Sequence, residues 1–151
     1  MSYDLMVFEK SKAPKTKKDF MEWYFTQTQW SEAHDYNSVS VTSPCLRNWF
    51  MEMKNIFPQM NGEYAPDDES IEADSDLEAH LTDYSIGNDM IYMAFAWSLA
   101  EKAYEYVLQL AKKHDVGFFD VSGSEDIIFP DGTKLNQPES PKRFFSKLFK
   151  K

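Results

Sequence analysis

Thr82-Asp-Tyr-Ser-Ile86 and Met90-Ile-Tyr-Met-Ala-Phe-Ala-Trp97, joined across Gly87 and Asn88, decide the fold. The first run is short and rich in strand-forming residues. The second is nearly all apolar, as a central strand is. Gly-Asn between them is a tight-turn signal, so the two runs predict an antiparallel hairpin. A hairpin with one apolar strand needs a further strand and a helix to cover it.

The flanking sequence supplies both. Tyr3 to Phe8 reads as a buried first strand. Thr16 with Asp19 three residues on is a helix start, and Phe20, Trp23, Tyr24 and Gln27 fall on one face of a helix running to about Gln29. Ser31 to Val41 is polar and predicts a loop. Ser43-Pro44 starts a second helix whose apolar stripe is Leu46, Trp49, Phe50, Met53 and Phe57. Residues 63–80 carry so many acids that the expectation is an exposed, mobile loop. After the hairpin, Ser98 and Glu101 form a second capping box, and Leu99, Ala103, Tyr106, Val107 and Leu110 make the stripe of a third helix. Val116 to Val121 and Asp126 to Phe129 complete the strands. The expected fold is α+β: a single antiparallel or mixed sheet with helices on one face, a variant of the ferredoxin-like split β-α-β arrangement. Residues 1–133 would form one domain containing the acidic loop 63–80. Residues 134–151 would form a basic linker and an amphipathic tail.

Charge narrows the function classes. The chain carries −9 at pH 7 over 151 residues. Residues 134–151 hold six basic residues and one acid, so the tail is +5 and residues 1–133 are −14. Phosphates are repelled by such a body, which argues against nucleic acid and for a basic protein partner. The partner-binding candidates are Trp30, Glu32, Asp35 and Tyr36, an aromatic pair set among acids, and the acids Asp67, Asp68, Glu69, Glu72, Asp74 and Asp76. Trp30 and Tyr36 could equally fold back over the first helix, while Trp23, Trp49 and Trp97 read as core. In the tail, Lys142, Arg143, Phe144, Phe145, Leu148 and Phe149 form a short amphipathic segment. It either makes weak contact with an anionic membrane surface or packs on the domain.

Catalytic chemistry has little purchase in this sequence. His34, His80 and His114 stand in no metal-ligand spacing. His80 precedes Asp83 by three residues and reads as a surface histidine or half of an acid–base pair. Asp74-Ser-Asp76-Leu-Glu78 alternates carboxylates but lacks the glycine of a calcium loop. Cys45, the single cysteine, stands near a helix start without an evident base. There is no phosphate-binding glycine loop, no Gly-x-Ser-x-Gly and no His-Glu-x-x-His. No catalytic residue, metal or cofactor is therefore expected. A single cysteine and the lack of a signal-like start predict a cytoplasmic protein.

Several segments carry a resemblance: Tyr3-Asp-Leu-Met-Val-Phe8, Phe20-Met-Glu-Trp-Tyr24, Trp30-Ser-Glu32, Trp49-Phe-Met-Glu-Met53, Phe57-Pro58 with Met60-Asn-Gly62, Thr82 to Gly87, Phe95-Ala-Trp-Ser98 and Gly117 to Ser122. Together, over about residues 1–122, they resemble a family of small uncharacterised bacterial cytoplasmic proteins. The resemblance implies a bacterial cytoplasmic setting and supplies no catalytic residue. By analogy it implies an immunity protein that neutralises a basic toxin domain. The alternatives are a small-molecule-binding protein or enzyme using strand-end residues such as Asp83, Tyr84 and Asp120, and a peripheral membrane adaptor acting through the tail.

Overall fold

The computed structural model describes residues 1–135. Six strands form one antiparallel sheet: β1 (Tyr3–Phe8), β2 (Asp83–Ile86), β3 (Met90–Phe95), β4 (Gly117–Phe119), β5 (Ile127–Ile128) and β6 (Lys134–Leu135), in the order β2-β3-β1-β4-β5-β6. The first four give the order of the split β-α-β, with β3 inserted between the parallel β1 and β2. The expected hairpin is β2–β3, and its register sets Asp83 opposite Ala94 and Ser85 opposite Tyr92. The sheet runs on to Leu135, so the domain includes two residues that the sequence assigned to the linker. The tail candidates Lys142, Arg143, Phe144, Phe145, Leu148 and Phe149 lie outside the described residues.

Helices cover both faces. Alternation along β1 sends Tyr3, Leu5 and Val7 to one side, and Met6 and Phe8 to the other. The first side packs on α2 (Pro44–Met53) and α5 (Ala100–Lys113) through Leu46, Trp49, Phe50, Met53, Ala103 and Val107. The Trp49 indole N–H donates to the Val107 carbonyl at 3.3 Å, joining the two helices. The second side packs on α1 (Lys17–Gln27), whose Phe20 meets Phe8 and Phe119 edge-on, at centroid distances of 5.0 and 5.4 Å. Helices on a single face would have left Met6, Phe8, Phe119 and Phe129 in water. Burying an aromatic or large aliphatic side chain is worth about 1.5–3 kcal/mol, so these four residues draw a helix to their side.

The helix starts follow their caps. The Thr16 hydroxyl accepts from the Asp19 N–H at 3.2 Å, as the sequence predicts. Pro44 occupies the first turn of α2, with Ser43 at its cap position. The Ser98–Glu101 capping box does not form. Trp97–Leu99 makes a 3-10 turn, and α5 begins at Ala100 without a side-chain cap. Trp97, expected in the core, is 49% exposed because β3 ends at Phe95 and the chain turns outward there.

Residues 63–80 are not an irregular loop. They contain α3 (Asp68–Ala73) and α4 (Ser75–His80). The Asp67 carboxylate accepts from Ser70 N–H at 2.7 Å, and Asp74 accepts from Asp76 and Leu77 N–H at 3.0 and 3.2 Å. Each acid thus caps a helix, and the negative first turns favour the helix dipole. The charge that argued for disorder is what starts both helices.

Candidate interaction surface

The loop from Trp30 to Tyr36 is a built structure. The Glu32 carboxylate accepts from the Asn88 N–H at 3.0 Å and from His34 Nε2 at 2.5 Å. His34 Nδ1 accepts from the Tyr36 N–H at 3.1 Å, which fixes the tautomer with hydrogen on Nε2. The Tyr36 hydroxyl accepts from the Glu32 N–H at 2.7 Å, and the Tyr36 carbonyl accepts from the Ile86 N–H at 2.8 Å. Glu32 is therefore a clip between the loop and the β2–β3 turn, rather than a free acid. Asp35 is exposed, and its carboxylate accepts from the Asn37 N–H at 3.0 Å.

Trp30 and Tyr36 both have positive φ, 54° and 64°. That conformation is unfavourable for bulky residues and persists only where the surroundings impose it. Here it turns the Trp30 ring edge-on to Tyr36 at 5.3 Å and to Tyr92 of β3 at 5.9 Å. Trp30 stays 40% exposed. Its aromatic neighbours are Tyr92 of the sheet and Tyr36 of its own loop.

Beneath Trp30 the sheet face is only partly covered. On the α1 side, α1 seals Met6 and Phe8, but Tyr92, Ala94 and Ser85 remain half-buried and Asp83 is exposed. The Tyr92 hydroxyl donates to the Asp4 carboxylate, whose other oxygen accepts from the Ser2 hydroxyl at 2.5 Å. The Asp4 N–H donates to the Ser122 hydroxyl at 2.8 Å. Burial first, and then the hydrogen bond to Asp4, push the Tyr92 phenol well above its ordinary range, so it stays a donor.

The second acidic element borders the same edge of the sheet. Asn37 accepts from the Gln59 side chain at 2.8 Å, and α4 ends two residues before Thr82. Asp67, Asp68, Glu69, Glu72, Asp74 and Asp76 are exposed on α3, α4 and their caps. Among the described residues, none of the six forms an ion pair with a lysine or arginine. Aromatic loop and acidic helices thus lie along the β2 side of one molecule.

The other sites considered in the sequence resolve differently. His80 is buried, not a surface residue, and it does not pair with Asp83. Its Nδ1–H donates to the Asp76 carbonyl at 2.8 Å, and its Nε2 accepts from the Lys102 ammonium at 2.8 Å. Its ring packs 5.2 Å from Phe57, so it anchors α4 to the core. A cleft of about 370 Å³ opens beside it, lined by Asn55, Pro58, Asp74, Asp76 and Lys102 among others. Asp83, Tyr84 and Asp120 do not converge on a pocket. Tyr84 is buried on the α2 side and donates to the Phe57 carbonyl at 2.7 Å, while Asp83 faces the other way. The buried Asp120 carboxylate accepts from the Ser124 N–H and hydroxyl at 3.0 and 3.1 Å, holding the turn after β4. His114 pairs with Glu52 at 2.9 Å, tying α5 to α2. Cys45 is half-buried and unpaired. Among the described residues, no three His, Cys, Asp or Glu side chains gather as metal ligands, and no helix is long and apolar enough to cross a membrane.

The strip of sheet carrying Asp4, Tyr92, Ala94 and Asp83 was missed in the sequence. The available signal was Ala94 and Tyr92 in an otherwise apolar strand, which marks positions where one face stays open. Comparison with protein-family models, with characterised proteins and with solved structures finds no match to this chain.

Proposed function

We propose that the protein is a binding module for a basic protein, with immunity to a basic toxin domain as the sharpest form of that reading. The observation that carries it is Trp30: a large aromatic ring, exposed yet fixed by two neighbouring rings and a clipped loop, in a chain whose exposed α3 and α4 acids form no ion pair with a lysine or arginine among the described residues. A rigid aromatic anchor loses little conformational entropy when it is buried at an interface. The acids of α3 and α4 add steering, which raises the association rate and makes it depend on salt.

The test is affinity capture from the source cells at low ionic strength, with the wild-type chain and with Trp30→Ala side by side. The expected result is one basic protein in stoichiometric amount, lost at high salt and reduced with Trp30→Ala. After purification, its affinity should fall by a factor of about ten or more on removing the Trp30 ring, as for a central anchor. A partner that is acidic, or that binds equally well in high salt, refutes the reading, and so does a blank from the wild-type chain.

A further inference from the structure

Register places two carboxylates in one row across three strands. Asp4 of β1 and Asp83 of β2 both pair with Ala94 of β3. Neighbouring strands lie about 4.8 Å apart, so the two acids stand about 10 Å apart on the same face, with only a methyl group between them. The next row is Met6, Tyr92 and Ser85. α1 covers the Met6 end of that row, and Tyr92 rises beside the notch above Ala94, with Trp30 edge-on to it. The floor is thus small, Tyr92 with Trp30 behind it forms an aromatic side, and both ends are acidic.

Among the described residues, Asp4 and Asp83 form no ion pair. The Asp4 carboxylate accepts from Ser2 and Tyr92, one hydrogen bond on each oxygen, which orients it and leaves each oxygen able to accept another. An open strip of this composition is complementary to a cation with a flat apolar body. Guanidinium fits better than ammonium: it stacks on aromatic rings and presents five donors in a plane, so one group reaches acceptors on two sides. A metal ion fits poorly, because among the described residues no third carboxylate, histidine or cysteine joins the two acids.

We propose that this strip is the seat of an arginine side chain from the partner, its guanidinium lying over Ala94 against Tyr92 and Trp30 and donating to Asp4 and Asp83. The proposal rests on the reading of the protein as a binder of basic proteins, and it names the residue type by which that partner is recognised.

The test titrates the full chain with a capped Gly-Arg repeat peptide, and with its Gly-Lys counterpart, at low salt. Amide shifts and the Trp30 indole signal are followed by NMR. The arginine peptide should perturb residues 4, 83, 85, 92 and 94 and the Trp30 indole, and bind about fivefold or more tightly than the lysine peptide. Asp4→Asn with Asp83→Asn should weaken it about tenfold. Glu101→Gln with Glu105→Gln removes the same charge from α5, which packs on the other face of the sheet, and should weaken it at most about twofold. Thermal melts check that each variant folds, and single variants replace a pair that does not. Equal losses in the two pairs, equal affinity for the two peptides, or shifts confined to α3 and α4 overturn the proposal. A peptide seated here while cells yield no basic partner removes the functional reading and keeps the seat. A captured partner indifferent to Asp4→Asn and Asp83→Asn does the reverse.

Discussion

Gly117→Ala probes the tightest of the five glycine sites. Gly117 lies directly across from Phe8 in the β1–β4 pairing. A methyl group there would fall on the Cε2–Cζ edge of the Phe8 ring and only 2.7 Å from its Cδ2. Carbon atoms in ordinary contact stand about 3.5–4.0 Å apart, so the ring would have to move by about 1 Å or more. It has nowhere to go. Phe8 is fully buried, and Phe20, Trp23 and Phe129 meet it at centroid distances of 5.0, 6.1 and 5.4 Å. Overpacking of a dense core costs about 1–3 kcal/mol. Disturbing one such aromatic contact adds about 0.5–1.5 kcal/mol. The expected loss is therefore about 2–4 kcal/mol, a fall of about 1–2 M in the urea midpoint with unchanged slope. The cause is tested by repeating the substitution in a Phe8→Leu background, where the ring edge is gone. There Gly117→Ala should cost less than about 1 kcal/mol. Equal costs in the two backgrounds, within the few tenths expected of independent sites, would refute the reasoning.

Tyr84→Phe removes the hydroxyl that donates to the buried Phe57 carbonyl, a bond of 2.7 Å, and should cost about 1–3 kcal/mol by urea denaturation. A neutral result would show that the carbonyl has another donor. Glu32→Ala removes acceptors of the Asn88 N–H and His34, so hydrogen exchange should speed up at Asn88 and Tyr36 and the near-ultraviolet dichroism of Trp30 should weaken. Unchanged exchange would mean the loop does not depend on this clip. Burial, followed by the charges of Glu32 and Glu9 against the opposing Lys12, holds the Asp89 carboxyl above its ordinary range. Ionised Asp89 therefore costs stability above its raised folded value, and below the ordinary carboxylate range both states are protonated and the cost vanishes. Asp89→Asn should raise the melting temperature at pH 7 and lose that advantage in acid. A gain that persists at low pH would show that charge is not the cause.

The parts of the fold legible in the sequence are those set by local pattern. Strand β1, the hairpin, the Thr16 cap, the Ser43-Pro44 start and the stripe from Leu46 to Met53 all stand where the residues put them, while Phe57 is buried beyond the end of α2, which stops at Met53 and not at Pro58. Pairing and layering are different, because they depend on segments far apart in the chain. Nothing local to α1 tells which face of the sheet Phe20 will cover. The acids at 67–78 were read as mutual repulsion, although Asp67 before Ser70 and Asp74 before Leu77 have the spacing of helix caps. His80 was judged by its charged neighbours, yet it turns inward to Phe57 and Lys102. Strand β6 is two residues long, too short to show a period. At the surface, Trp30 and Tyr36 were legible as aromatics among acids. The row Asp4–Ala94–Asp83 was not, because it exists only once three strands are in register.

Strand β1 serves both cores at once. Leu5, Met6, Val7 and Phe8 are all fully buried, alternate residues belonging to opposite sides of the sheet. Neither side can melt while the other keeps its packing, since each needs the same six-residue wall in place. The domain should therefore open as one cooperative unit, with the β1 amides exchanging only through global unfolding. A partner seated on the Tyr92 side stabilises the folded state as a whole, so its binding should slow exchange in α2 and α5, on the far side of the sheet from any contact.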